Sequence, residues 1–111
     1  MATCSRLSAN ISQKQLKPIY CHWDGYPEYI LPILNENYNT DKKVIELMSL
    51  GNLSSLGAKV KPDEGEKHSF NSPADNVTVA YHRDRGEGLE FWGNRQVYNY
   101  MYSDGVWSLE E

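Results

Sequence analysis

The chain has 111 residues, a formal net charge of -4 and 23% charged residues. This length fits a single domain over residues 1–111 with one core, and the 40% hydrophobic content is that of a folded globular protein rather than a disordered one. The acidic balance excludes an extended surface for duplex nucleic acid, because tracking phosphates requires a concentrated Lys/Arg face.

The sequence contains no apolar run of signal-peptide or membrane-spanning length, which predicts a cytoplasmic protein with no membrane partner. Its two cysteines, Cys4 and Cys21, cannot form a disulfide framework, so we expect reduced thiols. In a hairpin centred at Ser12-Gln13 the two cysteines would lie opposite each other, where adventitious oxidation could join them.

Two extended runs, Thr3 to Ile11 and Leu16 to Trp23, predict an N-terminal β-hairpin. Side chains alternate along a strand, so the second run has two faces. The core face would hold Ile19, Cys21 and Trp23, and the other face Tyr20, His22 and Asp24.

The second run ends in the motif YCHWDGYPE, residues 20–28. Asp24-Gly25 predicts a turn in which the Asp24 carboxylate accepts backbone hydrogen bonds. Because Trp23 shares the predicted core face with Ile19 and Cys21, we expect it to be buried beneath the helices. Tyr20, His22 and Tyr26 would remain available for contact.

Two helices are predicted next. The first covers part of Pro27 to Tyr38, and the interior Pro32 suggests that its regular part begins only near Leu31 or Pro32. The second runs from about Asp41 to Leu50, with Asn39-Thr40 offering the N-terminal cap.

The polar stretch at about 59–76 predicts a long loop, which His68 and Phe70 could pin down. Strand Val77–Tyr81 and an irregular link from Glu87 to Arg95 follow. The chain then ends in a hairpin whose strands, Val97–Tyr102 and Val106–Leu109, flank a type I′ turn at Asp104-Gly105. The order of elements predicts an α+β fold, an antiparallel sheet of about five strands with two or three helices packed on one side.

Two His-x-Asp pairs, His22/Asp24 and His82/Asp84, stand at or beyond strand ends. On neighbouring strands they could gather around a divalent metal, with His68 as a further ligand. The alternative is that Asp84 pairs with Arg83, Arg85 or a backbone donor. Neither pair matches an established metal spacing, so we assign no metal, no cofactor and no catalytic residue.

Two other arrangements are weaker candidates for a functional site. Cys21 and His22 are neighbours on a strand and point to opposite faces, so they cannot act as a nucleophile and its base. Arg83 and Arg85 could bind an anion through their guanidinium groups, or could simply hold a solvated turn.

Several segments together resemble a family of small, largely uncharacterised proteins encoded by bacteriophages and prophages. The resemblance covers residues 3–87 and rests on Ser5-Arg6, YCHWDGYPE, ENYNT, LGNLSSLG, HSF and VTVAYHRDRGE. The resemblance implies that the protein acts in the cytoplasm of a bacterial host. It does not imply any particular activity. Small acidic phage proteins often inhibit host defence by stoichiometric binding. Applying this role here is an analogy from genome context.

We therefore expect a non-enzymatic protein that binds a host or phage macromolecule, most simply a protein. Its predicted contact residues are Tyr20, His22, Asp24, Tyr26, His82, Arg83, Asp84 and Arg85. Charge reversal at both arginines should then weaken binding. The alternatives are a small-ligand or nucleotide-binding protein, or a metal-assisted hydrolase using the two His-x-Asp pairs. The sequence leaves self-association open.

Overall fold

The computed structural model describes residues 3–86 and 96–110. The strands are β1 (Cys4–Ile11), β2 (Lys14–Gln15), β3 (Ile19–Cys21), β4 (Leu53–Ser55), β5 (Val79–Ala80), β6 (Gln96–Ser103) and β7 (Val106–Glu110). The helices are α1 (Pro27–Asn37), α2 (Asp41–Met48) and a single π-helical turn at Tyr81–Arg85. The predicted link from Glu87 to Arg95 lies outside the described residues.

The described strands form one mixed sheet in the order β5-β4-β3-β1-β6-β7, with β2 paired to β1. Strands β1 and β6 run parallel, as do β3 and β4, whereas the other pairs are antiparallel. The α+β class is confirmed, but the prediction of an antiparallel sheet of about five strands is wrong. Both parallel pairs join segments that are distant in sequence, and local patterns contain no information on such pairings.

One face of the sheet and the helices α1 and α2 share a hydrophobic core. The strands supply Leu7, Ile19, Cys21, Tyr100 and Trp107, among others, and the helices supply Ile30, Leu34, Val44, Leu47 and Met48. Part of the opposite face is buried as well, because Cys4 and Tyr20 lie on it and are only 6% and 3% exposed. None of the described helices is long and apolar enough to cross a membrane.

The local signals for α2 and for the last hairpin are confirmed. The Thr40 side chain accepts a hydrogen bond from the Lys43 N–H at 3.3 Å, so it caps α2 as predicted. Asp104 and Gly105 both have positive φ, 52° and 83°, as a type I′ turn requires. Helix α1 begins at Pro27 rather than near Pro32, since a proline is well suited to the first helical position and Pro32 sits exposed within the helix.

The first hairpin turns at Ser12-Gln13, as predicted, but its register changes along its length. Asn10 pairs with Gln15 near the turn, whereas Leu7 pairs with Ile19 further on, so one extra residue enters the second strand between these pairs. A one-residue shift exchanges the faces of the following residues relative to the partner strand. Cys21 therefore lies opposite Ser5, and Cys4 points to the other face of the sheet. The two thiols are not opposite each other, which removes the route to a disulfide.

Candidate functional site

The motif YCHWDGYPE forms the passage from β3 to α1, and backbone bonds fix its path. The N–H groups of His22 and Trp23 donate to the carbonyls of Leu53 and Ser54. Asp24 then takes a left-handed conformation with φ 56°, and the Gly25 N–H donates to the Thr3 carbonyl at 2.8 Å.

Gly25 is the residue that permits this close approach to β1. A Cβ atom at Gly25 would lie 2.7 Å from both Cβ and Oγ of Ser5, and the Tyr100 hydroxyl donates to the Gly25 carbonyl at 2.6 Å. The predicted turn at Asp24-Gly25 is confirmed. Within the described structure the Asp24 carboxylate has no hydrogen bond to the backbone of the turn, so its expected role as an acceptor there is wrong.

Alternation correctly predicted that Tyr20 lies on the face opposite Cys21, but the exposure of Tyr20 and Trp23 is the reverse of what we expected. Cys21 is fully buried, as expected, and burial raises the pKa of its thiol to about 12. Trp23, however, is 46% exposed, and Tyr20 is 3% exposed. Strand β3 ends at Cys21, so regular alternation no longer determines the direction of the Trp23 side chain.

Trp23, Tyr26 and Tyr29 form an exposed aromatic strip along this passage and the first turn of α1. Tyr26 and Tyr29 are each 37% exposed, and their ring centroids lie 5.9 Å apart. His22 packs edge-on against Trp23 with centroids 4.8 Å apart, which holds the indole in place. The carboxylates of Asp24 and Glu28 are exposed within the same stretch, so the aromatic strip is both apolar and negatively charged.

A cleft of about 410 Å³ adjoins the aromatic strip at Tyr29. Its lining is formed by Tyr29, Ile33, Ser55, Leu56, Gly57, Ala58, Pro73, Ala74, Asp75, Asn76, Val77 and Val79. The Tyr29 hydroxyl donates to the Leu56 carbonyl at 3.4 Å, and burial raises its pKa. None of these described lining residues is Lys or Arg, which makes the cleft a poor match for a phosphate group.

A second group of polar side chains lies on the sheet face opposite the helices. The Tyr20 hydroxyl is 2.9 Å from Cys4 Sγ and 2.7 Å from His22 Nδ1. Burial, followed by the hydrogen bond with Cys4, raises the pKa of Tyr20 above its usual range. The Tyr20 backbone N–H donates to Asn52 Oδ1 at 3.0 Å, which fixes this strand against the chain that enters β4. The expectation that Tyr20 is open to a partner is therefore wrong.

The predicted site residues around the π-helical turn are largely engaged in internal contacts. Asp84 accepts from the Ala80 N–H at 2.8 Å and from Arg83 Nε at 3.0 Å, and it lies 3.2 Å from His68 Nε2. Burial acts to raise the pKa of Asp84, but the bonds from Arg83, the Ala80 N–H and His68 outweigh it, so its pKa is lowered. These contacts agree with the alternative prediction from the sequence, in which Asp84 pairs with an arginine or a backbone donor.

The two arginines have structural partners too. Besides Asp84, Arg83 donates to the carbonyls of Val60 and Thr78. The Arg85 guanidinium lies 5.3 Å above the Phe70 ring and 5.0 Å above the Tyr81 ring. Charge reversal at these positions would disturb the fold, so a loss of binding in such a variant would not identify the contact surface.

His68 and Phe70 anchor the long polar loop, as the sequence suggested. The Ala74 N–H donates to His68 Nδ1 at 2.9 Å, and the Phe70 ring packs 5.5 Å from the Tyr81 ring. The other ring nitrogen of His68, Nε2, is buried and lies 3.2 Å from Asp84 Oδ2, so the loop and the π-helical turn meet at this side chain.

The two His-x-Asp pairs do not combine in one centre. His22 contacts Tyr20 and Cys4, His82 is exposed, and Asp84 is bound to Arg83 and His68. Across residues 3–86 and 96–110, no group of three or more His, Cys, Asp or Glu side chains is arranged to hold a metal ion. The four residues named for a metal-assisted hydrolase thus lie in two separate settings.

Sequence reasoning named Tyr26 and His22 but missed Tyr29 and Cys4. Tyr29 could have been found, because it follows Tyr26 by three residues and such pairs share a helix surface. Cys4 could not, since its contact with Tyr20 and His22 depends on the one-residue register change in the first hairpin. Comparison with known protein families, with curated proteins and with solved structures finds no match to this chain.

Proposed function

We propose that this chain is a binding protein that contacts a macromolecular partner through the aromatic strip. The observation that carries the proposal is the exposure of three large aromatic side chains, Trp23, Tyr26 and Tyr29, within seven residues. Tyr and Trp are enriched among the residues that dominate protein interfaces, and adjacent exposed aromatic groups are uncommon on surfaces without a partner.

The charges around the aromatic strip indicate the chemistry of the partner. Asp24 and Glu28 are exposed beside the aromatic rings, and the whole chain carries a net charge of -4. Arg and Lys side chains bind both carboxylates and the faces of Trp and Tyr rings. The partner that fits is a protein with a basic contact surface, and its affinity should fall as salt screens these charges.

The resemblance of the sequence to phage and prophage proteins supports a more specific role. In a bacterial host, a small acidic protein that covers a basic surface would inhibit a nucleic-acid-binding protein, and defence systems contain many such proteins. We propose this stoichiometric inhibition as the biological function, with no catalytic step.

The test is a comparative pull-down from bacterial lysate with three forms of the protein. The double variant Trp23→Ala/Tyr26→Ala removes two rings of the aromatic strip, and Val106→Ala removes a 57% exposed apolar side chain on β7 as the matched control. We expect the parent and Val106→Ala to recover the same stoichiometric partner and the double variant to lose it. Recovery of that partner by all three forms would reject the aromatic strip as the contact surface.

The cleft beside Tyr29 favours a second candidate function, the binding of a small ligand. Its volume suits a small molecule, and Asp75 in the lining favours a neutral or cationic ligand over a nucleotide. A thermal-shift screen with amines and with nucleotides separates the classes. Stabilisation by nucleotides alone would contradict the lining chemistry, and Tyr29→Ala should abolish a shift caused by an amine.

A further inference from the structure

The face of the sheet opposite the helices carries four reactive or charged side chains in a square. The register places Arg6 opposite Tyr20, and the Cys4 side chain lies close to that of His22, the residue that follows β3. Side chains two residues apart on a strand, or directly opposite on neighbouring strands, lie within reach of one another. The square therefore joins a thiol, a phenol, an imidazole and a guanidinium.

Three members of the square form a continuous chain of hydrogen-bonding atoms. Cys4 Sγ lies 2.9 Å from the Tyr20 hydroxyl, and that hydroxyl lies 2.7 Å from His22 Nδ1, whereas Sγ and Nδ1 are 4.0 Å apart. The thiol can donate to Tyr20 while Tyr20 donates to His22. Moving both protons one step leaves a thiolate at Cys4 and a proton on His22, with Tyr20 unchanged.

Arg6, the fourth member, supplies positive charge. Its Nε atom is buried and has no hydrogen-bond acceptor among residues 3–86 and 96–110. A buried guanidinium N–H left unsatisfied is costly, and a carboxylate is the ligand that a guanidinium binds best. His22 is partly exposed, whereas Cys4 and Tyr20 are buried, so access from solvent is by way of His22 and only to a small reagent.

We propose that Cys4 is a reactive thiol, activated by a proton relay through Tyr20 to His22, and that Arg6 directs it toward small carboxylate-bearing electrophiles. In the step, the Cys4 sulfur forms a bond to the electrophilic carbon and the leaving group departs with the electron pair of the broken bond. The thiol proton passes to Tyr20 as the Tyr20 proton passes to His22 Nδ1. This reactivity goes beyond the proposed binding function and does not depend on it.

Iodoacetate tests the proposal on the intact protein, because it carries a carboxylate and loses iodide on alkylation. The rates at Cys4 and Cys21 are followed separately by peptide mass spectrometry. Cys21 is the internal control, since it is fully buried on the other face of the sheet. We expect Cys4 to react at least about 100-fold faster than Cys21. The relay should make the Cys4 rate at least about tenfold higher than it would be without the relay.

The variants distinguish a relay from a merely structural role. Tyr20→Phe and His22→Gln should slow alkylation of Cys4 at least about tenfold, whereas simple loosening of the fold would speed it and would also expose Cys21. The ratio of iodoacetate to iodoacetamide rates at Cys4 should exceed the ratio measured in the unfolded chain. Arg6→Gln should abolish that excess and Arg6→Lys should retain part of it.

Three results would overturn the proposal. They are equal alkylation rates at Cys4 and Cys21, an unchanged or faster rate at Cys4 in Tyr20→Phe, and a reagent ratio at Cys4 that matches the unfolded chain.

Discussion

Two tryptophans of this chain have opposite environments, and their substitution should differ accordingly. Trp107 is 2% exposed, and its indole N–H donates to the Tyr38 carbonyl at 2.8 Å, whereas Trp23 is 46% exposed. We expect Trp107→Ala to lower the free energy of unfolding by about 3–5 kcal/mol and Trp23→Ala by about 0.5 kcal/mol or less. Urea unfolding measures both. A Trp23→Ala variant as unstable as Trp107→Ala would mean that the Trp23 side chain packs in the core.

Asp84 should make the stability of the protein depend on pH in the acid range. Its pKa is lowered in the folded state, so it stabilises the fold above its ordinary pKa, and this contribution is lost as the pH falls through the lowered value. Asp84→Asn should therefore lower the free energy of unfolding at pH 7 by about 1.5–3 kcal/mol, the range for hydrogen bonds to charged groups.

The measurement for Asp84 is urea unfolding of parent and Asp84→Asn across a series of pH values. The difference between them should shrink as the carboxylate of the parent becomes protonated. A difference that stays constant from neutral to strongly acid pH would show that the charge of Asp84 contributes nothing.

At the residue scale, the sequence predicted the burial of Cys21 and the turn at Asp24-Gly25, because alternation and turn chemistry are local. It assigned Tyr20 and Trp23 to the wrong environments. Alternation applies only while the strand continues, and no local signal showed that β3 ends at Cys21. Exposure of Tyr20 also depends on what packs against the second face of the sheet, which is a property of the whole fold.

At the scale of elements, helix α1 protects the edge of the sheet. The Asn35 side chain accepts from the Trp107 N–H at 2.8 Å and donates to the Trp107 carbonyl at 3.1 Å, so its amide takes the place of a neighbouring strand along β7. Free strand edges promote pairing with other chains. Asn35→Ala should lower the free energy of unfolding by about 1–3 kcal/mol and should promote self-association.

Analytical ultracentrifugation and urea unfolding test the role of Asn35. Asn37→Ala is the matched control, because the hydrogen bond that the Asn37 amide donates within the described residues stays inside α1, to the Ile33 carbonyl at 3.0 Å. An Asn35→Ala protein that stays monomeric and as stable as Asn37→Ala would show that the edge of β7 needs no such protection.

Elements with complete local signals were predicted best. Thr40 and the apolar stripe of α2 define that helix, and Asp104-Gly105 defines the final hairpin. The pairing of β1 with β6 was not predictable, since the free energy of that contact depends on packing between segments about ninety residues apart. The position of β1 between β3 and β6 is nevertheless what brings Tyr100 under Gly25 and fixes the passage that displays the aromatic strip.

At the scale of the whole molecule, the described side chains discussed above fall into two groups, those that stabilise the fold and those exposed in the aromatic strip. The polar loop, the π-helical turn and its arginines hold one another through Asp84, His68 and Phe70. The side chains of the aromatic strip are 37–46% exposed and lie beside two exposed carboxylates. The sequence predicted a turn within this motif, but which of its side chains face outward followed only from the fold.

The central claim is that the aromatic strip is where a partner binds. Amide hydrogen exchange of the chain, free and in complex with the partner recovered by pull-down, tests it most directly. We predict that the partner slows exchange at residues 22–29 and leaves the exposed face of α2 around Ile45 unchanged. Unchanged exchange at residues 22–29, with protection appearing at α2 or β7 instead, would contradict the assignment of the contact surface.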